Sequence, residues 1–244
     1  MIIVTGGTHG IGRACVELLA RRGHAVVFTG RDRETGSLVE RTATGTRYVE
    51  CDVGVEEDCR RAVDAALSLG EGRIAGLVNN AGVASRADFA KSSTAEWDRV
   101  MNVNARGAYL FTRLALAGLI AARGAVVNVA SIAGKVGEEG LALYTASKSA
   151  LIGLTQALAL EYGSVVRFNA VCPGQIDTRM MSRVNADPEA KRRLELRIPA
   201  ARFGDPAEVA STVAWLLSDE ASYVNGTILT VDGGETAGVR TPRA

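Results

Sequence analysis

The 244 residues of the chain suit one large α/β domain, and a hydrophobic fraction of 47% is enough for a sizeable core. The formal net charge of +1 gives no electrostatic reason to expect a nucleic acid or an anionic membrane as a partner. The four cysteines include no Cys-x-x-Cys pair and only two histidines occur, so we expect no metal site and no disulfide framework, and instead buried reduced thiols in a cytoplasmic protein.

Apolar strands and helical segments alternate along the chain. Seven strands are predicted, at residues 2–4, 25–29, 48–51, 76–78, 125–129, 165–171 and 227–231. Helices are predicted at 11–22, 56–69, within 94–122, at 143–162 and at 206–217, with a short and poor one in 33–46. Because the strands are apolar on both faces, a parallel sheet covered on both sides is indicated.

Right-handed crossovers turn this order into a Rossmann-like, doubly wound α/β sheet, which we predict as a single domain over 1–244. The last ten residues, 235–244, are predicted to be a polar, loosely held tail. The first strand begins at Ile2, so no signal peptide is expected, and no apolar run reaches the ~18 residues that suggest a membrane span.

A glycine-rich turn joins the first strand to the first helix. Its glycines, Gly6, Gly10 and Gly12, permit a tight turn and a close approach of the backbone to a pyrophosphate. The helix that follows offers free N–H groups and a positive dipole end, next to Thr8, His9 and Ile11. The position of the turn, after a strand and before a helix, predicts a dinucleotide site.

The end of the second strand indicates which dinucleotide binds. An acidic residue at this position would hydrogen-bond the ribose 2′-OH, but the chain has Gly30 followed by Arg31. Arginine suits a phosphate, and His9 could add a donor, so NADP(H) is favoured over NAD(H). Asp32 keeps NAD(H) open, and an arginine of a solvated surface loop is the alternative interpretation of Arg31.

One helical turn carries the strongest chemical signal. Tyr144 and Lys148 are four residues apart, on one helix face, and Ser131 lies thirteen positions upstream. A free phenol titrates near ~10, and an ammonium group beside it would lower its pKa towards a useful range. Each residue taken alone has a structural interpretation: a tyrosine in the core, or a serine that caps a helix.

Six ordered motifs resemble the short-chain dehydrogenase/reductase family, in its single-domain form of about 250 residues. The resemblance covers residues 2–234 and includes a closing Val-Asp-Gly-Gly at 231–234. The motifs are Thr5-Gly6-x-x-x-Gly10-x-Gly12, Asn79-Asn80-Ala81-Gly82, Asn104, Ser131, Tyr144-x-x-x-Lys148 and Pro173-Gly174-x-x-x-Thr178.

The resemblance implies a role for each matching position. Tyr144 would be the general acid and base, Lys148 would lower its pKa and bind the nicotinamide ribose, and Ser131 would hold the substrate carbonyl. Asn104 would fix a water molecule of a proton relay. Around the cofactor, Asp52 and Val53 would bracket the adenine, and Asn80, Ala81 and Gly82 would line the adenosine side. Pro173, Gly174, Ile176 and Thr178 would hold the nicotinamide.

The substrate is predicted less sharply than the reaction. The segments 83–86, 133–143 and 175–197 should line its pocket, and 180–198 is interpreted either as a lid or as a solvated helix. Glu138 and Glu139 could bind a polar substrate or be exposed loop acids. The expected substrate is a small polar, alicyclic or biosynthetic secondary alcohol or ketone; a 3-oxoacyl thioester is the alternative.

Two predictions concern the assembly and a rival function. The segments 94–122 and 143–162 are apolar over more than one face, which favours subunit contacts and a homo-oligomer, a tetramer by family resemblance or a dimer. A cofactor-binding protein without catalysis is the competing class. It would be expected to lack the Ser131, Tyr144 and Lys148 set that this chain keeps.

Overall fold

The computed structural model describes residues 1–239, and the predicted tail beyond 239 lies outside the described residues. Its strands are β1 (Ile2–Val4), β2 (Val26–Gly30), β3 (Thr46–Glu50), β4 (Gly76–Asn79), β5 (Ala125–Val129), β6 (Arg167–Pro173) and β7 (Ile228–Val231). The sheet is parallel throughout, in the order β3-β2-β1-β4-β5-β6-β7. The predicted doubly wound sheet is therefore confirmed.

Ten α-helices accompany the strands within the described residues. They are α1 (Gly10–Arg21), α2 (Arg33–Thr42), α3 (Glu56–Leu69), α4 (Thr94–Met101), α5 (Gly107–Ala122), α6 (Ala133–Val136), α7 (Ala142–Tyr162), α8 (Ser182–Asn185), α9 (Pro188–Arg197) and α10 (Pro206–Leu217). A π-helical segment, Asn102–Arg106, joins α4 to α5, and short 3₁₀ turns lie at Phe89–Lys91, Arg179–Met181 and Asp219–Ala221.

The alternation of side chains along each strand divides the core into two layers. On β1, Ile2 and Val4 pack with α1 and α10, whereas Ile3 packs on the opposite face with α3 and α5. Phe28 and Phe111 are fully buried in these two layers. Burial of each such side chain contributes roughly 1.5–3 kcal/mol, so the sheet is anchored on both faces and its carboxyl edge is a rigid platform.

The strand order reverses between β1 and β4. The chain crosses to β2 and β3 on one side and to β5, β6 and β7 on the other. A reversal of this kind opens a crevice at the carboxyl edge of a parallel sheet, where open α/β sheets bind ligands. The glycine turn after β1 and the segment 80–82 after β4 both lie at this crevice.

Some predicted boundaries were wrong. β6 begins at Arg167 instead of 165, because the amides of Val165 and Val166 both donate to the carbonyl of Tyr162 and form the turn that ends α7. The segment 180–198 is not one helix: Asp187 caps the N-terminus of α9 with its carboxylate, and Pro188 starts that helix.

In the described part of the chain, no helix combines the length and the apolarity needed to cross a membrane.

Candidate active site

Hydrogen bonds tie the glycine turn to the segment after β4. The Thr5 hydroxyl accepts the amides of Asn80 at 2.9 Å and Ala81 at 3.0 Å. The Asn80 side chain donates in return to the carbonyls of Thr5 at 2.9 Å and Gly6 at 3.1 Å. These bonds fix the glycine turn and the segment after β4, which border the crevice, relative to each other.

The glycines of the turn are required by space. A Cβ on Gly12 would lie 2.2 Å from the Gly6 carbonyl oxygen, and one on Gly6, at φ +66°, would lie 2.9 Å from the Ala81 Cα. His9 occupies the N-cap position of α1 and makes no side-chain capping bond, so the first amides of the helix keep their positive field. In this cradle the backbone of Thr8, Gly10, Ile11 and Gly12 would hold a pyrophosphate.

The end of the crevice that follows β2 and β3, where the adenosine of a dinucleotide is predicted to bind, carries charged side chains in ion-pair contact; we call it the adenosine end. Arg31 Nη1 lies 3.9 Å from Asp52 Oδ2, and its side chain is otherwise exposed. Asp32 caps α2, since its carboxylate accepts the amide and the hydroxyl of Thr35 at 3.0 and 2.8 Å. These hydrogen bonds hold the pKa of Asp32 below its usual value. The cap holds Asp32 at the start of α2, and the Arg31 side chain stays exposed beside it.

Two of the predicted adenine contacts lie at the end of β3. Asp52 also accepts the Gly54 amide, at 2.9 Å. Val53 is buried, and its Cβ would be 3.0 Å from a Cβ on Gly107. Val53 therefore packs the adenosine end of the crevice onto α5, besides any contact with an adenine.

Ser131, Tyr144 and Lys148 come together, although they lie on different elements. Ser131 follows β5, and Tyr144 and Lys148 share a face of α7. The Ser131 hydroxyl is close enough to the Tyr144 phenol to favour its ionised form. The Lys148 ammonium group lies 5.7 Å from the centroid of the Tyr144 ring and donates to the Val129 carbonyl at 2.8 Å. The set has the geometry for a proton donor, a carbonyl-polarising hydroxyl and a nearby cation.

The pKa values in this structure differ from the expectation. Burial raises the pKa of Tyr144 to about 12, and the nearby Ser131 hydroxyl opposes that rise. Burial also lowers the pKa of Lys148 to about 8. The predicted lowering of the Tyr144 pKa by Lys148 is absent, because the ammonium group is directed to the Val129 carbonyl and desolvation dominates at both groups.

Asn104 occupies the π-helical segment between α4 and α5 and is almost fully buried. Its Oδ1 accepts the Val83 amide at 2.8 Å, and its Nδ2 donates to the Val83 carbonyl and to the Ser147 hydroxyl, both at 2.9 Å. The Ser147 hydroxyl donates to the carbonyl of Tyr144. The Asn104 side chain thus ties the segment after β4 to α7, and its expected role in holding a water molecule stays a prediction.

The segment that is predicted to hold the nicotinamide begins at Pro173, the last residue of β6. The Pro173 carbonyl accepts the Ile132 amide at 3.1 Å, and Gly174 donates to Val231 at 3.0 Å. Ile176 is buried and pairs with Gly204 in an isolated bridge. Thr178 approaches Gly10 so closely that a Cβ on the glycine would lie 3.1 Å from its methyl group. The segment therefore reaches back across the crevice to the glycine turn.

A cavity of about 510 Å³ lies next to Ser131, since its lining includes the following residue, Ile132. Charged side chains cross its wall: Arg197 pairs with the buried Glu235 at 2.8 Å, and Arg86 pairs with Glu138 at 2.9 Å. Burial raises the pKa of Glu235. The cavity is lined by Ile132, Ala133, Val136, Gly137, Glu138, Leu196, Arg197, Glu235, Thr236 and Gly238.

Part of this lining was predicted and part was missed. The loop around Glu138 and the end of α9 were expected at the pocket, and α9 contributes to its wall instead of being only a solvated helix. Glu138 is largely buried by its ion pair, whereas Glu139 is exposed. Glu235 was predicted to be part of a loose tail, but its side chain is buried and pairs with Arg197. This residue was missed by sequence analysis because it lies far along the chain from the other motifs of the site.

No group of three or more His, Cys, Asp or Glu residues suited to a metal ion occurs among residues 1–239. All four cysteines are free and buried.

Comparison with known proteins identifies the family of the chain. Residues 6–236 match a family model described as "Enoyl-(Acyl carrier protein) reductase". The chain is 38% identical to 2-(S)-hydroxypropyl-CoM dehydrogenase 3 of Xanthobacter autotrophicus over 97% of this chain and 96% of that protein. It is 38% identical to the 3-oxoacyl-[acyl-carrier-protein] reductase FabG of Aquifex aeolicus, over 95% of each.

A solved structure gives the same result. The ligand-free aldohexose dehydrogenase of Thermoplasma acidophilum superimposes with a TM-score of 0.89 at 34% identity, over 99% of this chain and 96% of that one. Each of these dehydrogenases and reductases is matched by the present chain over 95% or more of its own length. The protein is an oxidoreductase of the short-chain dehydrogenase/reductase family, which uses NAD(P) and acts on alcohol and ketone groups.

Proposed function

We propose that the protein interconverts a secondary alcohol and a ketone with NADP(H), and that Tyr144 is its general acid and base. The observation that carries the proposal is the convergence of Ser131, Tyr144 and Lys148 next to a cavity of about 510 Å³. That volume lies in the range of small-molecule sites. The crevice between β1 and β4 and these three side chains lie at the same carboxyl edge of the sheet.

Each of the three side chains has a definite task. NADP(H), when bound, supplies or accepts the hydride. As negative charge develops on the carbonyl oxygen, the hydroxyls of Ser131 and Tyr144 stabilise it by hydrogen bonding. Tyr144 then gives its proton to that oxygen, or takes it in the reverse reaction, which is typically worth ~10²–10⁴ in rate. Lys148 favours phenolate once its ammonium group turns from Val129 towards the phenol.

NADP(H) is proposed over NAD(H) because of the charges at the adenosine end. Arg31 is exposed, and its only ion pair among the described residues is a long one of 3.9 Å to Asp52, so its donors are accessible to a 2′-phosphate. Asp32 is engaged as a helix cap. An NAD-dependent alcohol dehydrogenase is the alternative on the same scaffold.

A small polar or alicyclic substrate is supported by the charge balance of the cavity. Arg86 and Arg197 offset Glu138 and Glu235, so the wall gives no net attraction for an anionic carrier or nucleotide thioester. The similarity to FabG keeps a 3-oxoacyl thioester as the second candidate, whereas the similarity to an aldohexose dehydrogenase supports a small hydroxylated substrate. Retention of Ser131, Tyr144, Lys148 and Asn104 counts against a non-catalytic binding protein.

We also propose that the protein is a homo-oligomer in the cytoplasm, and we favour a tetramer over a dimer. Large apolar side chains are exposed on the helices predicted to make contacts: Trp97 on α4, Tyr109 and Ile120 on α5, and Leu160 on α7. Exposed apolar surface of this kind marks interaction sites. Four buried, unpaired cysteines suit a reducing compartment.

A substrate panel tests the proposal. The purified protein is mixed with NADPH or NADH and with cyclopentanone, 2-hydroxycyclohexanone or acetoacetyl-CoA, and with NADP⁺ or NAD⁺ and an aldohexose. We expect turnover of a small ketone or polyol, faster with the phosphorylated cofactor. Turnover restricted to acetoacetyl-CoA, or faster with the unphosphorylated cofactor, would contradict the corresponding part of the proposal.

A further inference from the structure

The residue of interest is Arg179, which follows Thr178 in the 3₁₀ turn after β6. Its guanidinium contacts the His9 imidazole, a partner 170 positions away in sequence, and lies 3.8 Å from the Asp32 carboxylate. In the sheet, β6 is separated from β2 by β1, β4 and β5. The Arg179 side chain therefore spans the crevice in which a dinucleotide is expected and ends beside the first residues of α2.

Arg179 completes a balanced set of charges at the adenosine end. We call this set the adenosine-end cluster: His9, Arg31, Asp32, Asp52 and Arg179. Its pairs are Arg31 with Asp52 at 3.9 Å, Arg179 with Asp32 at 3.8 Å, and His9 with Asp32 at 3.5 Å. Burial and the positive charge of Arg179 lower the pKa of His9 below its usual value, which favours the neutral imidazole. Two guanidiniums then face two carboxylates.

The balance depends on Arg179 because Asp32 cannot turn away. Its carboxylate is held by two hydrogen bonds from Thr35 at the start of α2. Loss of Arg179 would leave the cluster with a net charge of −1. A doubly charged 2′-phosphate would be repelled by that charge, whereas a neutral ribose 2′-OH would be affected little.

We propose that Arg179 is a specificity-determining residue for the cofactor, which neutralises Asp32 and thereby admits the 2′-phosphate of NADP(H). The inference rests on the proposed NADP(H) preference, and it adds a residue from the opposite half of the sheet. Arg31 would supply the direct donor, and Arg179 would act through Asp32 as a positioning residue.

The test is a fluorescence titration of NADPH and NADH binding to wild type, Arg179→Gln, Asp32→Asn and the double variant. Asparagine preserves the helix cap and removes its charge. We expect Arg179→Gln to lower the ratio of NADPH to NADH affinity about tenfold, and to lower it less than threefold in the Asp32→Asn background. Arg193→Gln, an exposed arginine that pairs with Glu189 on α9, is the matched control and should leave the ratio unchanged.

Two results would overturn the inference. One is equal weakening of both cofactors by Arg179→Gln, which would indicate a general contact or a structural role. The other is the same fall in the ratio with and without the Asp32 charge, which would mean that Arg179 acts independently of that carboxylate. The wild-type titration tests the proposed cofactor preference separately, because tighter binding of NADH than of NADPH would refute that preference. The change in the affinity ratio on Arg179→Gln would still test the role of Arg179.

Discussion

Lys148 is buried with its charge, and replacement by methionine should stabilise the fold. Its side chain is only 3% exposed, and burial lowers its pKa from 10.5 to about 8. A pKa difference of one corresponds to about 1.4 kcal/mol, so keeping the ammonium group charged in the folded protein costs about 3 kcal/mol at pH 7. Loss of the hydrogen bond to the Val129 carbonyl offsets about 1 kcal/mol of this, which leaves a net gain of about 2 kcal/mol for Lys148→Met.

The sign of the pH dependence follows from the lowered pKa. The unfolded lysine binds its proton more tightly than the folded one, so wild type gains stability as pH rises from about 8 to 10.5. The cost falls to about 1 kcal/mol at pH 10, and the advantage of Lys148→Met should then nearly vanish. Urea unfolding at pH 7 and pH 10, compared with wild type, measures both differences.

Lys91→Met, at an exposed lysine, is the control and should show neither effect. A Lys148→Met variant less stable than wild type at pH 7, or an advantage that does not change with pH, would refute the argument from desolvation. Since Lys148 is placed at the reaction centre, the same variant should lose most of its turnover. A charge kept in place at such a cost in stability is expected where function requires it.

Three further variants test the cofactor site and the reaction centre. Arg31→Ala should weaken NADPH about 10–100-fold and NADH little, because only the 2′-phosphate loses a charge-assisted hydrogen bond; equal losses in a fluorescence titration would contradict the phosphate contact. Ser131→Ala should lower kcat roughly 10²-fold with the cofactor Kd unchanged, by loss of a donor to the developing oxyanion, and steady-state kinetics that show only a higher KM would count against this role. Gly12→Ala should lower the Tm and abolish cofactor binding, since its Cβ would lie 2.2 Å from the Gly6 carbonyl oxygen; a variant that melts and binds as wild type would show that the turn can relax.

The sheet was predictable because local pattern and tertiary structure agree there. The Ile2-Ile3-Val4 run is apolar at every position, and both faces of β1 are in fact buried. The glycines of the first turn and the Tyr144/Lys148 pair are close in sequence, so their spacing alone indicates a shared site. The apolar pattern predicted the start of β6 too early, because the apolar residues Val165 and Val166 belong to the turn at the end of α7.

The substrate side and the adenosine-end cluster were less predictable, because they are assembled from distant segments. Glu235 and Arg197 meet across the cavity, and Arg179 meets His9 across the crevice, through side chains whose partners no local pattern specifies. The pKa of Tyr144 was also beyond the sequence, since it depends on burial and on the direction of the Lys148 side chain.

The most direct test of the central claim is the rate of the chemical step in Tyr144→Phe. Single-turnover reduction of a ketone by bound NADPH, with the cofactor Kd measured in parallel, separates chemistry from binding. We predict a fall of ~10²–10⁴ in the rate, a Kd within about twofold of wild type, and no change for the exposed Tyr109→Phe. An undiminished rate in Tyr144→Phe would contradict the assignment of Tyr144 as the proton donor.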